Sequence, residues 1–209
     1  MPLRKLPFLK DNIYHVFSRG NRKETIFLDE KSYLRFLIKI EEYGKRYGLD
    51  IIAYCLLSNH FHLLVKQLTD IPVSRFMGTL LSSLSHYSAV RYELPQGHFF
   101  QGRFGAKLIE TPESLLQVSR YIHLNPVKED VLKLDFTYKS SRLIRDKSVI
   151  ERARKYPYSS YQFYLNPQLP SSVTVNTDYI RNIEETLARY RGFVESKITD
   201  EDVLNLERF

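Results

Sequence analysis

The sequence predicts an α+β fold of the ferredoxin-like, split βαβ kind: an antiparallel sheet with helices on one face, followed by a C-terminal helical appendage. Three observations predict it. Short β-rich runs and stretches at helical spacing follow one another as strand–helix–strand–strand–helix–strand. A further helical stretch comes directly after the last strand. A hydrophobic content of 43% over 209 residues is ample for a packed core, which excludes global disorder.

"NIYHVFSR" (12–19) alternates and is rich in β-formers, so it is expected to be a strand, and "GNRKETIF" supplies a basic turn. From Asp29 to about Tyr47, the residues Tyr33, Phe36, Leu37, Ile40 and Tyr43 recur at helical spacing, with acids in the first turn and Gly48 closing the helix. "LDIIAYCLLS" and "HFHLLVKQL" form two strands of a hairpin joined at "SN". A second helix is expected from Val73 to about Tyr92, ended by Pro95-Gln96-Gly97. "HFFQGRFGAKLIE" (98–110) gives a strand or bent hairpin. In "TPESLLQVSRYIHLNP", Thr111 is the N-cap and Pro112 the first helical residue. That helix is expected to end at Asn125, because a residue before proline is pushed out of the α region. "YPYSSYQFYLNP" is an irregular aromatic segment, and from about Thr177 an amphipathic helix and a short second one are expected. These elements divide into a domain at 1–165 and an appendage at 166–209.

Charge narrows the partners. Residues 1–160 carry 26 Lys and Arg against 16 Asp and Glu, whereas 161–209 carry 5 against 8. A basic body with an acidic tail favours a polyanion such as nucleic acid. The basic residues include a dense stretch at 133–155, with eight Lys and Arg against three acids. One cysteine, Cys55, excludes an internal disulfide and a cysteine zinc site, and its apolar run makes it a small buried hydrophobe. No apolar run spans a membrane, and "MPLRKLPFLKDN" has no signal-peptide apolar region, so a cytoplasmic protein with no membrane partner is expected.

"SNHFHLLVK" (58–66) raises the chemical question, because it holds two of the six histidines one residue apart. On a strand His60 and His62 share one face, while Phe61, Leu63 and Val65 anchor the other. Two imidazoles so placed suit either one divalent cation or two separately satisfied histidines. A cation on two neutral histidines needs a further donor, usually oxygen. The helix from Thr111 carries Tyr121 and Asn125, four residues apart on one face. Asn125 offers a carbonyl oxygen, and Tyr121 a phenol that could attack a phosphodiester once its proton is taken or its substrate polarised. With fifteen tyrosines in the chain, chemistry alone does not single out Tyr121.

These segments carry a family resemblance. "HFHLLV" resembles the His-hydrophobic-His (HUH) motif of single-tyrosine endonucleases, and "SRYIHLNPV" the tyrosine segment of the REP-associated tyrosine transposases, relatives of small insertion-sequence transposases. "YHVFSRGNRKETIF", "FQGRFGAKLIE" and "YPYSSY" are similar to further motifs of that group, in the same order, over about residues 10–165. The resemblance implies His60, His62 and Asn125 as ligands of Mg²⁺ or Mn²⁺, and Tyr121 as a nucleophile that cuts single-stranded DNA, leaving a 5′-phosphotyrosine and a free 3′-hydroxyl. It implies hairpin-forming DNA as partner, with Arg19, Asn21, Arg22, Lys23, Arg103 and Lys107 as phosphate contacts and Phe99, Phe100 or Phe104 for base stacking. Solvated loop charge is the ordinary reading of such cations, and a place inside the matched motifs favours DNA contact for Arg19 and Arg103. His15 is expected to be structural or to support the ligands, and His123 to point away from Tyr121. One departure is the lack of tryptophan, with Tyr156 or Tyr158 in its place in the last motif. Relaxase-like or replication-initiator-like nickases share the histidine pair, and a non-catalytic DNA-binding module or an RNA-binding domain stay as alternatives. Monomer and homodimer are both open.

Overall fold

In a computed structural model of the protein, which describes residues 7–93, 98–133 and 147–196, four strands form one antiparallel sheet. The elements are β1 (Ile13–Arg19), α1 (Glu30–Tyr47), β2 (Leu49–Leu57), β3 (His60–Gln67), α2 (Val73–Tyr92), β4 (Gly105–Ile109), α3 (Pro112–Lys133), α4 (Lys147–Lys155), α5 (Tyr161–Leu165), α6 (Asp178–Glu184) and α7 (Leu187–Glu195). The strand order β2-β3-β1-β4 places β3 between β1 and β2, and β1 between β3 and β4. Two β-α-β units therefore interleave, which is the expected split βαβ arrangement.

Strand alternation sorts the side chains onto two cores. Tyr14 and Val16 of β1, Phe61, Leu63 and Val65 of β3, and Tyr54 and Leu56 of β2 face α1 and α2, which bury Phe36, Ile40, Phe76 and Leu80 against them. Each such side chain contributes roughly 1.5–3 kcal/mol by leaving water, so this face holds the sheet rigid. The opposite face carries Ala53, Cys55, Leu57 and Leu64 against Leu115, Val118, Tyr121 and Ile122 of α3. A β-bulge between Ile51 and Ala53 lets the adjacent Ile52 and Ala53 both join this second core. Thus α1 and α2 lie together on one face, and the helix after β4 covers the other.

Local signals explain the helix ends. Asp29 Oδ1 accepts from the Ser32 N–H at 2.8 Å, and the Asp29 N–H donates to Ser32 Oγ at 3.3 Å, a reciprocal cap on α1. Gly48 closes α1 at φ 66, and a Cβ there would also meet Thr69 Cγ2 at 2.3 Å, so only glycine fits. Thr111 Oγ1 accepts from the Ser114 N–H at 3.1 Å to cap α3.

Two boundaries differ from expectation. Helix α3 does not end at Asn125 but continues through Pro126 to Lys133. An interior proline costs about 3 kcal/mol, yet Ile122, Leu124, Asn125 and Val127 around it are all buried, and their burial outweighs that cost. The helix expected from Thr177 is two helices, broken at Glu185 (φ 61) and restarted by Thr186, whose hydroxyl accepts from the Arg189 N–H at 3.1 Å. The turn expected at Pro95-Gln96-Gly97, the short helix expected after α7 and most of the basic stretch after Lys133 fall outside the described residues.

The aromatic segment protects the β2 edge. The Leu56 N–H donates to the Tyr158 carbonyl and the Ser160 N–H to the Tyr54 carbonyl, each at 2.9 Å, so β2 offers no open ladder there. Tyr158 stacks on Tyr33 of α1 with ring centroids 3.9 Å apart. Tyr156 donates to the Leu56 carbonyl at 2.8 Å, so these tyrosines serve packing. Among the described residues no helix is long and apolar enough to cross a membrane.

Candidate active site

The face under α3 is organised in cross-strand rows. Leu57, His60 and Arg19 form one row, Cys55, His62, Phe17 and Gly105 the next, and Ala53, Leu64, His15 and Lys107 the third. Three of the six histidines and two cations therefore share one patch. The His60 and His62 rings lie 5.2 Å apart, nearly perpendicular, and His15 stacks on His62 at 5.1 Å. Phe17 packs 5.7 Å from His62 and lies over Gly105, where a Cβ would meet the ring at 2.2 Å. Glycine at 105 is thus what lets Phe17 flank the histidines.

Hydrogen bonds orient both imidazoles of the pair. His62 is buried, and its Nδ1 lies 2.9 Å from Nε2 of the fully buried His15. Nδ1 of the half-buried His60 lies 2.5 Å from Asn59 Oδ1. An amide oxygen only accepts, so His60 carries its proton on Nδ1 and keeps its Nε2 lone pair. His15 thus lies directly behind His62.

Helix α3 brings the tyrosine onto this patch. The Tyr121 hydroxyl is 3.4 Å from His62 Nε2, and the two rings meet edge to face at 5.1 Å. Burial is the largest influence on the phenol and pushes its pKa up to about 12, against the Asn125 side chain and the Arg19 charge, which pull it down. Asn125, one turn on, is buried, and its Nδ2 donates to the Tyr121 carbonyl at 3.0 Å. His60, His62, Tyr121 and Asn125 are thus gathered from two elements some sixty residues apart, and Arg19 joins them through its row. Among the described residues no group of three or more His, Cys, Asp or Glu could hold a metal. A cation here would therefore depend on the two imidazoles and an oxygen donor such as the Asn125 amide.

The remaining basic residues lie around this site rather than in it. The end of β1 and the starts of β3 and β4 fall at the same end of the sheet. Asn21, Arg22 and Lys23 form the turn leaving β1, latched by Asn59 Nδ2 donating to the Lys23 carbonyl at 3.2 Å. Arg22 and Lys23 are exposed, with φ of 50 and 63, and Arg103 is exposed just before β4. Lys107 stands beside His15, and burial lowers its pKa. Phe100 is buried in the first core and cannot stack on a base, while Phe99 and Phe104 pack at that core's margin. Phe17 was not singled out from the sequence, although its place two residues from both His15 and Arg19 was the available signal.

His123 points away from Tyr121, as expected. It is fully buried, with Nε2 2.9 Å from Ser160 Oγ and Nδ1 2.8 Å from the Tyr190 hydroxyl, and burial pushes its pKa down to about 3. The folded protein thus keeps it neutral where the unfolded chain, near 6.5, takes up a proton. Its stabilising contribution is complete above pH 6.5 and is lost as pH falls toward 3. Between about pH 7 and pH 5 this removes about 2 kcal/mol. Urea unfolding at the two pH values should show that loss in the wild type, and His123→Gln should lack it; equal slopes would refute the assignment.

Comparison with known proteins adds three findings. The model of a family described as "Transposase IS200 like" matches residues 9–125. A REP-associated tyrosine transposase, solved bound to a REP hairpin, aligns with a TM-score of 0.58 and 16% identity over 85% of this chain and 93% of its own, a likeness of fold. A protein from Deinococcus radiodurans R1 assigned to the transposases aligns at a TM-score of 0.41 and 16% identity, covering 57% of this chain and 95% of its own. No curated protein matches the sequence significantly.

Proposed function

The chain belongs to the IS200-like transposase family, whose model spans more than half of it, and on that premise we propose that its His60–His62–Tyr121 site cuts and rejoins single-stranded DNA. The observation that carries this reading is the Tyr121 hydroxyl 3.4 Å from His62 Nε2, on the sheet face that also carries His60, with Asn125 one helical turn from the tyrosine. In the forward step the Tyr121 oxygen bonds to phosphorus, the bond from phosphorus to the 3′-oxygen breaks, and the proton lost by the phenol is passed through solvent to the leaving 3′-oxygen. The products are a 5′-phosphotyrosine on Tyr121 and a 3′-hydroxyl. A new 3′-hydroxyl reverses the step, so the phosphodiester is restored without a nucleotide cofactor.

Nε2 of His60 and of His62 and the Asn125 amide oxygen are the donors that would hold a divalent cation; the oxygen suits Mg²⁺ or Mn²⁺, and the imidazoles favour the softer Mn²⁺ of the two. When bound, Mg²⁺ or Mn²⁺ offsets charge on the phosphate oxygens. Metal binding requires His62 Nδ1 to donate to His15 Nε2, as His60 Nδ1 does to Asn59, so that the Nε2 of each keeps its lone pair for the site. A phenol with a pKa near 12 is neutral at pH 7, so the nearby Arg19 charge favours its ionised form as it attacks. Arg22, Lys23 and Arg103 are suited to the phosphates of a DNA hairpin at the His60 end of the sheet. Tyr121 lies 3.4 Å from His62 of its own chain, an arrangement that favours a site working in cis.

The direct test is to incubate the protein and Mn²⁺ with single-stranded DNA carrying hairpins. A covalent adduct should survive denaturation, whereas hairpin binding with no adduct would leave a DNA-binding module instead. Arg19→Met is expected to slow adduct formation by about tenfold or more, with Arg19→Lys keeping most of the rate. Single-turnover kinetics measure this, and an unchanged rate in Arg19→Met would remove Arg19 from the site.

A further inference from the structure

Helix α7 grips α3 from behind the tyrosine. Ser119 and His123 stand two residues before and after Tyr121, which at about 100° per residue turns both roughly 160° away from it. The Tyr190 hydroxyl of α7 bridges them, 2.9 Å from Ser119 Oγ and 2.8 Å from His123 Nδ1. One proton arrangement satisfies the whole set: His123 donates to Tyr190, Tyr190 to Ser119, and Ser119 to the Leu116 carbonyl at 2.8 Å. On the other side of His123, Ser160 links it to the backbone of β2 through the Tyr54 N–H at 2.8 Å.

A second grip adjoins Tyr121 directly. Arg120 is buried, and its guanidinium reaches the Ser196 carbonyl at 2.9 Å and the Val194 carbonyl at 3.4 Å, at the C-terminal end of α7. A cation is favoured there by the helix dipole and the unsatisfied carbonyls. Every one of these contacts is polar and directional. The face of α3 against the sheet, by contrast, is held mainly by apolar contacts, which tolerate a helix rotating or sliding. Tyr190, Val194 and Arg120 are all buried, so the Tyr190 bridge is shielded from water, while Ser196 closes the grip at the surface.

From these contacts we infer that α7 is a positioning element for the nucleophile, setting the rotation of α3 so that the Tyr121 phenol stays over His62 of its own chain. This rests on Tyr121 being the nucleophile. Helix α7 thereby serves the chemistry from the side of α3 that faces away from the site. A displacement of about 1 Å at the reacting atom costs on the order of a hundredfold in rate, so even a small slackening of the grip is measurable.

The experiment uses the full chain with Tyr190→Phe, Arg120→Met and both together. In the double variant, the adduct rate at saturating hairpin DNA should fall at least about tenfold, while the DNA concentration for half-maximal rate stays within about twofold. Arg120→Lys should keep more of the rate than Arg120→Met. Amide hydrogen exchange at residues 119–125 should quicken by about tenfold or more while exchange in β3 stays as in the wild type. A rate within twofold of wild type, a parallel loss of rate and DNA affinity, or unchanged exchange in α3 would each overturn the inference. Absence of an adduct in the wild type would instead sink the proposed function, and the exchange measurement would still decide the role of α7. Should the double variant not fold, Tyr190→Phe removes a single oxygen and carries the same comparison.

Discussion

Tyr121→Phe is expected to abolish the covalent protein–DNA adduct, lowering the rate by on the order of 10⁴ or more. The change removes one oxygen from a buried ring and leaves the ring's edge-to-face contacts with His62 and His15 in place. The hydroxyl's contact to His62, at 3.4 Å, is long for a hydrogen bond, so its loss should alter stability by no more than about 1 kcal/mol. Hairpin binding should persist, because the exposed cations suited to it lie at the loop end of the sheet. A denaturing gel with labelled DNA reads the adduct, and mass spectrometry reads the modified residue. An undiminished adduct in this variant would mean that another of the fifteen tyrosines does the chemistry.

His60→Ala is expected to remove the dependence of cleavage on Mn²⁺ together with most of the activity, on the order of 10³-fold. His60 is half-buried and opens the strand, so its truncation should leave unfolding little changed. His62→Ala should lose as much activity but also stability, by about 1–3 kcal/mol, because it deprives the buried His15 ring of its hydrogen-bond partner. Calorimetric titration with Mn²⁺ separates the causes: binding should vanish in both variants while hairpin affinity is retained. Full Mn²⁺ binding by His60→Ala would refute a metal on the histidine pair. The contrast between the variants also checks the geometry, since only His62 has an imidazole behind it.

The parts of the fold legible in the sequence were those set by neighbours in the chain. Asp29 with Ser32, and the left-handed Gly48, bound α1 where cap and glycine signals stand. The alternation of "HFHLLV" placed His60 and His62 on one face because a strand has a period of two. Pro126 misled, because the preference of the residue before proline is worth less than the burial of Ile122, Leu124 and Val127, which local reading does not count. Thr186 misled in the other direction: a capping side chain split a stretch whose apolar spacing looked continuous.

For the site, the sequence determined the candidate groups: an imidazole pair on one strand face, and a phenol and an amide one helical turn apart. It also marked the basic turns beside them. Only the tertiary structure decided that α3 lies on the histidine face, that Arg19 sits across from His60, that His15 stands behind His62, and that Tyr190 holds α3 from its far side. The physical reason is that spacing along a chain fixes which way a side chain points within its own strand or helix. Which elements meet depends on the strand register and on the sum of many buried contacts between distant segments, and no local pattern carries that sum.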